Sequence, residues 1–149
     1  MIRSLLIGLV AGARSITPVA AVSEAARRHA LPLDNGAPSW LGRPAVAGGL
    51  KLMAAGELGA DKLPAAPNRI VPFSMAVRMV GAGVAGAALA PRRRALAGAL
   101  LGAGAAVAAT YVTFDLRRRA MLRFGQVPTG LVEDALALAA TRLIVRGAR

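Results

Sequence analysis

Residues 1–25 read MIRSLLIGLVAGARSITPVAAVSEA. From Ser4 to Ser23 the stretch is apolar over a length that can cross a bilayer, because a hydrocarbon core of about 30 Å takes roughly 20 helical residues. Arg14 interrupts this window near its middle, and Pro18, which has no N–H to give to a helix, follows one turn later. The short basic start at Arg3 and the small residues of VAAVSEA also have the outline of a secretory signal. We expect a retained helix, kinked at Pro18 so that backbone carbonyls are freed beside Arg14.

The rest of the 149-residue chain supports a lipid setting. Hydrophobic residues make up 56% of it, above the roughly 45–50% of soluble proteins, and the mean hydropathy is +0.54. That surplus is mostly Ala, Leu, Val and Gly, and aromatic residues are only 3%. A soluble core would lack the large rings that supply most burial energy, whereas small residues suit helices packed closely in lipid. The net charge of +12 does not point to nucleic acid. The clusters Arg27–Arg28, Arg92–Arg94 and Arg117–Arg119 each stand at the edge of an apolar run, where basic residues anchor helices at headgroup level. Without cysteine, disulfides and thiolate-held metals are excluded.

Four further windows pass the length test: Ala45–Leu63, Ile70–Ala90, Ala95–Leu116 and Pro128–Val145. The connections between them carry turn residues, as in LPLDNGAPSWLGRP, PAAPN, PRRR and FGQVP, and Trp40 fits an interfacial anchor. The expected fold is therefore all-α, a multi-pass transmembrane bundle of about five helices forming one integral membrane domain, residues 1–149. Gly8 with Gly12, and Gly98 with Gly102, form GxxxG pairs that let helices touch, without naming their partners. An ungapped alignment of residues 8–32 with 104–128 matches Gly, Ala, Thr, Arg and Pro, so an inverted repeat is one expectation. Five spans divide the basic residues almost evenly between the two sides. The positive-inside rule then gives no orientation, and antiparallel dimers become one hypothesis.

Charges inside apolar windows cost about 2.5–3.5 kcal/mol each on insertion scales, so they need a partner, a proton or water. Lys51, Glu57 and Asp61 lie in the second window, with Glu57 and Asp61 one turn apart on one face and Glu57 the deeper. Arg14 and Thr17 lie in the first, Arg78 in the third, and Glu133 and Asp134 in the fifth. PTGLVED reads as a helix opening, with Thr129 as N-cap and the two acids in the first two turns, where the dipole favours them. Thr110, Thr113 and Asp115 are candidates to extend the lining, Asp115 more simply as an interfacial ion pair with the adjoining arginines.

At that point the segments GARSITPVAAVSEA, AAGELGADKLPAAPNRI and TGLVEDALALAA resemble the recurring blocks of a bacterial integral-membrane family, domain of unknown function 4126. The resemblance rests on Gly12, Arg14, Pro18, Glu57, Asp61, Lys62, Pro64, Glu133 and Asp134. It implies a multi-pass membrane protein and marks those polar residues. It implies no activity.

The leading functional expectation is a transporter or channel for a small solute or ion in the bacterial inner membrane. Glu57 and Asp61 would bind or relay a cation or proton, Arg14 and Arg78 would balance charge or hold an anion, and Glu133 and Asp134 would complete the site. The second is a scaffold whose charges form a structural network of Arg14 and Arg78 with Glu57 and Glu133. The third is a lipid-modifying enzyme with the carboxylates as acid and base. HExxH, GxSxG and phosphate-loop patterns are missing from the sequence, and the lone His29 sits beside Arg27 and Arg28. No cofactor or nucleic-acid partner is expected; the expected partners are the lipid bilayer and further copies of the chain in a homo-oligomer, such as a dimer.

Overall fold

In the computed structural model, which describes residues 1–60 and 72–147, the first apolar window forms two short helices rather than one. Helix α1 spans Ile2–Ala13 and α2 spans Ile16–Arg27. The break falls on Arg14, whose backbone is extended at φ −133° and ψ 111°. Arg14 is four residues before Pro18. In a continuous helix Pro18 could give no hydrogen bond to the Arg14 carbonyl, and its ring would collide with it. Once the helix restarts at Ile16, Pro18 lies in the first turn, where amide donors have no intrahelical partner anyway. Pro18 thus opens α2 instead of kinking a continuous span.

Four more helices follow among the described residues: α3 (Pro44–Ala60), α4 (Pro72–Ala88), α5 (Ala95–Phe124) and α6 (Gln126–Arg146), with a 3-10 turn at Arg92–Arg94 before α5. Contacts fix the course of the hairpin. Ser4 donates its hydroxyl to the Gly86 carbonyl at 2.8 Å, and Arg78 donates to Gly12, so α1 and α4 run in opposite directions. Glu57 reaches Ser15 while Lys51 reaches Glu24 at 2.9 Å, so α2 and α3 are also antiparallel. Val19 and Val22 of α2 pack with Ala85, Ala88 and Leu89, and Gly81 lies against Ser15, so α2 runs with α4 and returns toward the end where α1 began.

The glycine pairs find their partners around α5. Gly8 and Gly12 of α1 face Gly102 and Ala109, and Gly98 and Gly102 face Gly86 and Ala82 of α4. A Cβ at Gly8 would run into the Gly102 carbonyl, which is why these backbones need glycine to touch. The interior is accordingly built of small groups, with Ala11, Ala82, Ala85, Ala88 and Ala106 fully or nearly fully buried. Large apolar side chains face outward instead, among them Leu52, Phe73, Leu96, Leu100, Leu122 and Leu143.

The termini share one end of the bundle. Arg3 donates to the Gly147 carbonyl, the Gly36 N–H donates to the Ala90 carbonyl at 2.9 Å, and Gly42 packs on Ala26. Arg3, Arg27, Arg28, Arg43, Arg92–Arg94 and Arg146 therefore gather there, whereas Arg118, Arg119 and Arg123 stand toward the other end. Among the described residues the even division expected from five full spans does not hold, because the first window turns back on itself and brings Arg3 to the same end as Arg27 and Arg28.

Other expectations also change. The fourth window does not stop at Leu116: α5 continues through the arginine cluster to Phe124. Helix α6 opens at Gly125, φ 84°, rather than at Thr129, which donates its hydroxyl to the Gly125 carbonyl at 2.7 Å. Glu133 and Asp134 consequently lie more than two turns into α6, beyond the reach of its N-terminal dipole. The two segments of the proposed repeat fold differently, one as a broken hairpin and the other as the second half of α5, unbroken up to Phe124. With its leading turn, Arg92–Phe124 is the one helix among the described residues long and apolar enough to cross a membrane by length and composition. Asp61, Lys62 and the adjoining ends of the second and third windows lie outside the described residues.

Candidate functional site

A helix that stops and restarts exposes carbonyls at one end and N–H groups at the other. Both sets converge here in the interior, and each is met by a charge of the right sign from another helix. At the end of α1, Arg78 of α4 donates to the carbonyls of Gly12 at 2.7 Å and Ala11 at 3.4 Å. Thr110 and Thr113 of α5 add hydroxyl donors to the Gly12 carbonyl, at 3.4 and 3.3 Å. Arg78 is 4% exposed and Thr110 is fully buried. A guanidinium at a helix C-terminus matches the negative end of the macrodipole.

At the start of α2 the partner is Glu57 of α3. One carboxylate oxygen accepts the Ser15 N–H at 2.7 Å and the Ser15 hydroxyl as well, and the other accepts the Ile16 N–H at 3.0 Å. Ser15 holds the N-cap position but makes no cap bond with its own side chain. The cap is supplied from α3 by a half-buried carboxylate, an anion at a helix N-terminus.

Between the two helix ends, Arg14 turns its side chain to α6. It is 2% exposed, forms an ion pair with Asp134, and has Glu133 at 4.0 Å. Glu133 is held in turn by Arg117 of α5 at 2.6 Å, and Arg117 is 9% exposed. The break thus carries an interior network of two arginines and two acids besides the Glu57 and Arg78 caps. Removing one member of such a pair leaves the other charge buried, which costs about 3–5 kcal/mol.

Two clefts flank the network. One, about 420 Å³, lies between α1, α5 and α6, with Arg117 and Glu133 in an otherwise largely apolar wall. The other, about 490 Å³, lies between α2, α3 and α6 and includes Thr17 and Thr141. Ala137 lines the first and Leu138 the second, so adjacent positions of α6 face different clefts.

The sequence-derived residues therefore divide. Arg14, Glu57, Arg78, Glu133 and Asp134 all meet at or beside the break, and Thr17 stands in the wall of a cleft next to it. Asp61 lies outside the described residues. Of the expected network of Arg14 and Arg78 with Glu57 and Glu133, Arg14 reaches Glu133 and also pairs with Asp134, while Glu57 bonds backbone amides and Arg78 bonds backbone carbonyls. Asp115 pairs with Arg118 and Arg119 on the surface of α5, at 3.3 and 2.7 Å.

Two participants lay outside the sequence-derived set. Ser15 gives no pattern of its own. Arg117 was grouped with an interfacial cluster, yet Thr110, Thr113 and Arg117 follow i, i+3, i+7 spacing and hence share one helical face. Among the described residues no three of His, Cys, Asp and Glu form a metal-ligand group.

The fold and this site define an all-helical bundle organised around a helix break capped by charges from its neighbours. The chain belongs to the DUF4126 family, a domain of unknown function, whose family model matches residues 2–146. The match agrees with the resemblance carried by Arg14, Pro18, Glu57, Glu133 and Asp134. Among curated proteins and among solved structures, none matches the chain.

Proposed function

We propose that this protein is a multi-pass inner-membrane transporter or channel for a small solute or ion, with the α1–α2 break as its binding point. One observation carries the reading: the freed N–H groups of α2 hold the Glu57 carboxylate, and the freed carbonyls of α1 hold the Arg78 guanidinium. Discontinuous helices supply the ion sites of many secondary transporters, their N-termini facing anions and their free carbonyls facing cations.

The outward-facing leucines over an alanine and glycine interior support a lipid setting. Each hairpin arm has 12 residues, about 18 Å of helix, and so reaches roughly halfway into a 30 Å hydrocarbon core. Irregular backbone at such depth is tolerated only where protein or a cavity surrounds it. Helices α3 to α6 then make the passes, and the basic end that holds both termini faces the cytoplasm by the positive-inside rule.

In this mechanism Glu57 occupies the position that a transported anion would take. When Glu57 leaves, by accepting a proton or by movement of α3, the Ser15 and Ile16 N–H groups become free beside Arg14. An anion takes them, and the proton on Glu57 balances its charge. The cleft between α1, α5 and α6 offers an approach, with Glu133 and Arg117 in its wall.

A second reading, a scaffold with structural charges, is favoured by the mutual matching of these groups: both Glu57 oxygens are bonded, and Arg14 and Arg117 face acids. Proteoliposomes separate the two. Wild-type protein should carry protons together with chloride, nitrate or formate, and Glu57→Gln should abolish that flux while eluting as a folded, monodisperse species. A wild type that passes none of these ions, with a variant that merely unfolds more readily, would establish the scaffold instead.

A further inference from the structure

The cleft between α2, α3 and α6 has a chemistry that the break does not use. Its walls are mainly apolar, including Ala21, Ala55, Leu58 and Leu138, and its rim carries Arg28, Lys51, Arg142 and Arg146 with Glu24 as the only acid among the described residues. Glu24 is already satisfied: Arg27 bonds it through two nitrogens at 2.8 and 2.7 Å, Lys51 lies 2.9 Å away, and Arg28 also bonds it. Arg142 and Arg146, one turn apart on α6, have no carboxylate within ion-pair distance among the described residues. The rim therefore holds a surplus of positive charge. Thr17 and Thr141, 4% and 1% exposed, stand in the wall with hydroxyls lacking a hydrogen-bond partner among the described residues.

We propose that this cleft seats an anionic phospholipid, its phosphate between Arg142 and Arg146 and an acyl chain along the alanine and leucine wall. The inference rests on the reading of the chain as a membrane protein, and it is independent of transport. A free phosphate would use the rim and leave the apolar wall uncovered. A zwitterionic lipid would cover the wall but bring no net charge to the rim. Arg28 and Arg146 of its rim lie where α2 and α6 end, at the basic end of the bundle, and basic pockets between helices on the cytoplasmic side are where anionic headgroups bind.

The test uses the full chain in a neutral detergent, with phosphatidylglycerol, phosphatidylcholine or inorganic phosphate added. Thermal unfolding and native mass spectrometry of retained lipid are read together. Phosphatidylglycerol should raise the melting temperature and remain bound, and phosphatidylcholine and inorganic phosphate should do neither. The double variant Arg142→Ala with Arg146→Ala should weaken phosphatidylglycerol binding roughly thirtyfold, from about 1 kcal/mol per basic residue near an anionic surface. A variant with Arg92, Arg93 and Arg94 changed to alanine removes more charge from the same end but none from the cleft, and should bind as wild type does. Equal binding of phosphatidylcholine, stabilisation by phosphate alone, or an equal loss in the Arg92–Arg94 variant would each overturn the proposal. Carbonate extraction of membranes tests the underlying reading separately, since a chain released by carbonate is not an integral membrane protein whatever lipid it binds.

Discussion

Residues 8–32 and 104–128 align without gaps, yet the first stretch breaks into a hairpin and the second runs on as one helix through position 124. Three aligned pairs explain the difference. Pro18 stands against Phe114, and only the proline denies a hydrogen bond to the carbonyl four residues before it. Arg14 stands against Thr110, whose hydroxyl bonds back to the Ala106 carbonyl at 2.7 Å and leaves the helix intact. Gly8 stands against Gly104: the first touches α5 backbone, and the second has nothing within 4 Å of its Cβ position. Similar composition therefore yields opposite outcomes, decided by one missing donor and by which face is covered.

The contrast can be tested by substitution, the largest effect coming from the break itself. Arg14→Met removes the buried arginine that pairs with Asp134 and should cost about 3–5 kcal/mol, read by thermal unfolding in detergent. Adding Asp134→Leu should recover part of that loss, and a strictly additive double variant would show that the pair is not coupled. In the aligned Thr110→Val the expected loss is smaller, about 1–3 kcal/mol for the buried bonds to Ala106 and Gly12.

The glycine pair comes next. Gly8→Ala places a methyl group against the Gly102 carbonyl and should destabilise by about 1–3 kcal/mol through overpacking. Gly104→Ala meets open space and should stabilise by roughly 0.5–1 kcal/mol, the helix preference of alanine over glycine. Equal effects at the two sites, measured by the same unfolding assay, would mean that Gly8 does not sit at a helix contact.

Pro18→Ala tests the origin of the break. With Glu57 and Arg78 holding the freed ends, the hairpin should persist, with a loss of no more than about 1 kcal/mol from greater freedom of the unfolded chain. Spin labels at positions 5 and 24 report the outcome directly. Their separation should stay short, whereas a restored continuous helix would extend it to about 28 Å.

The smallest effect lies at the outer end of α2, where Arg27, then Lys51 and Arg28, hold the Glu24 carboxylate well below its ordinary value of 4.5. A depressed carboxylate stabilises the fold above its unfolded value, and that contribution fades as pH falls through the folded one. Unfolding temperature should therefore begin to drop below about pH 4.5, and Glu24→Gln should flatten that part of the profile. A profile unchanged by the substitution would mean that this exposed cluster adds nothing.

Part of the cluster was legible because charge inside an apolar window is costly and stands out against an alanine-rich background: Arg14, Glu57, Arg78, Glu133 and Asp134 come together at or beside the break. Their wiring was not legible. Pairing by sign holds for Arg14 and Glu133, whereas Glu57 and Arg78 meet backbone dipoles at two helix ends, and a sequence does not show where a helix end will be buried. Arg117 was hidden by its exposed neighbours Arg118 and Arg119, since only the helical face distinguishes it from them.

By itself the sequence determined an all-helical chain of small interior residues, the family to which it belongs, and the polar positions that need partners, because composition, spacing and proline's missing donor are local properties. Tertiary structure alone decided that the first window turns back, that both termini share a basic end, and that Glu57 caps a helix it does not belong to. Direction and partnership depend on contacts between segments far apart in the chain, and short helices of similar hydropathy carry no local signal for either.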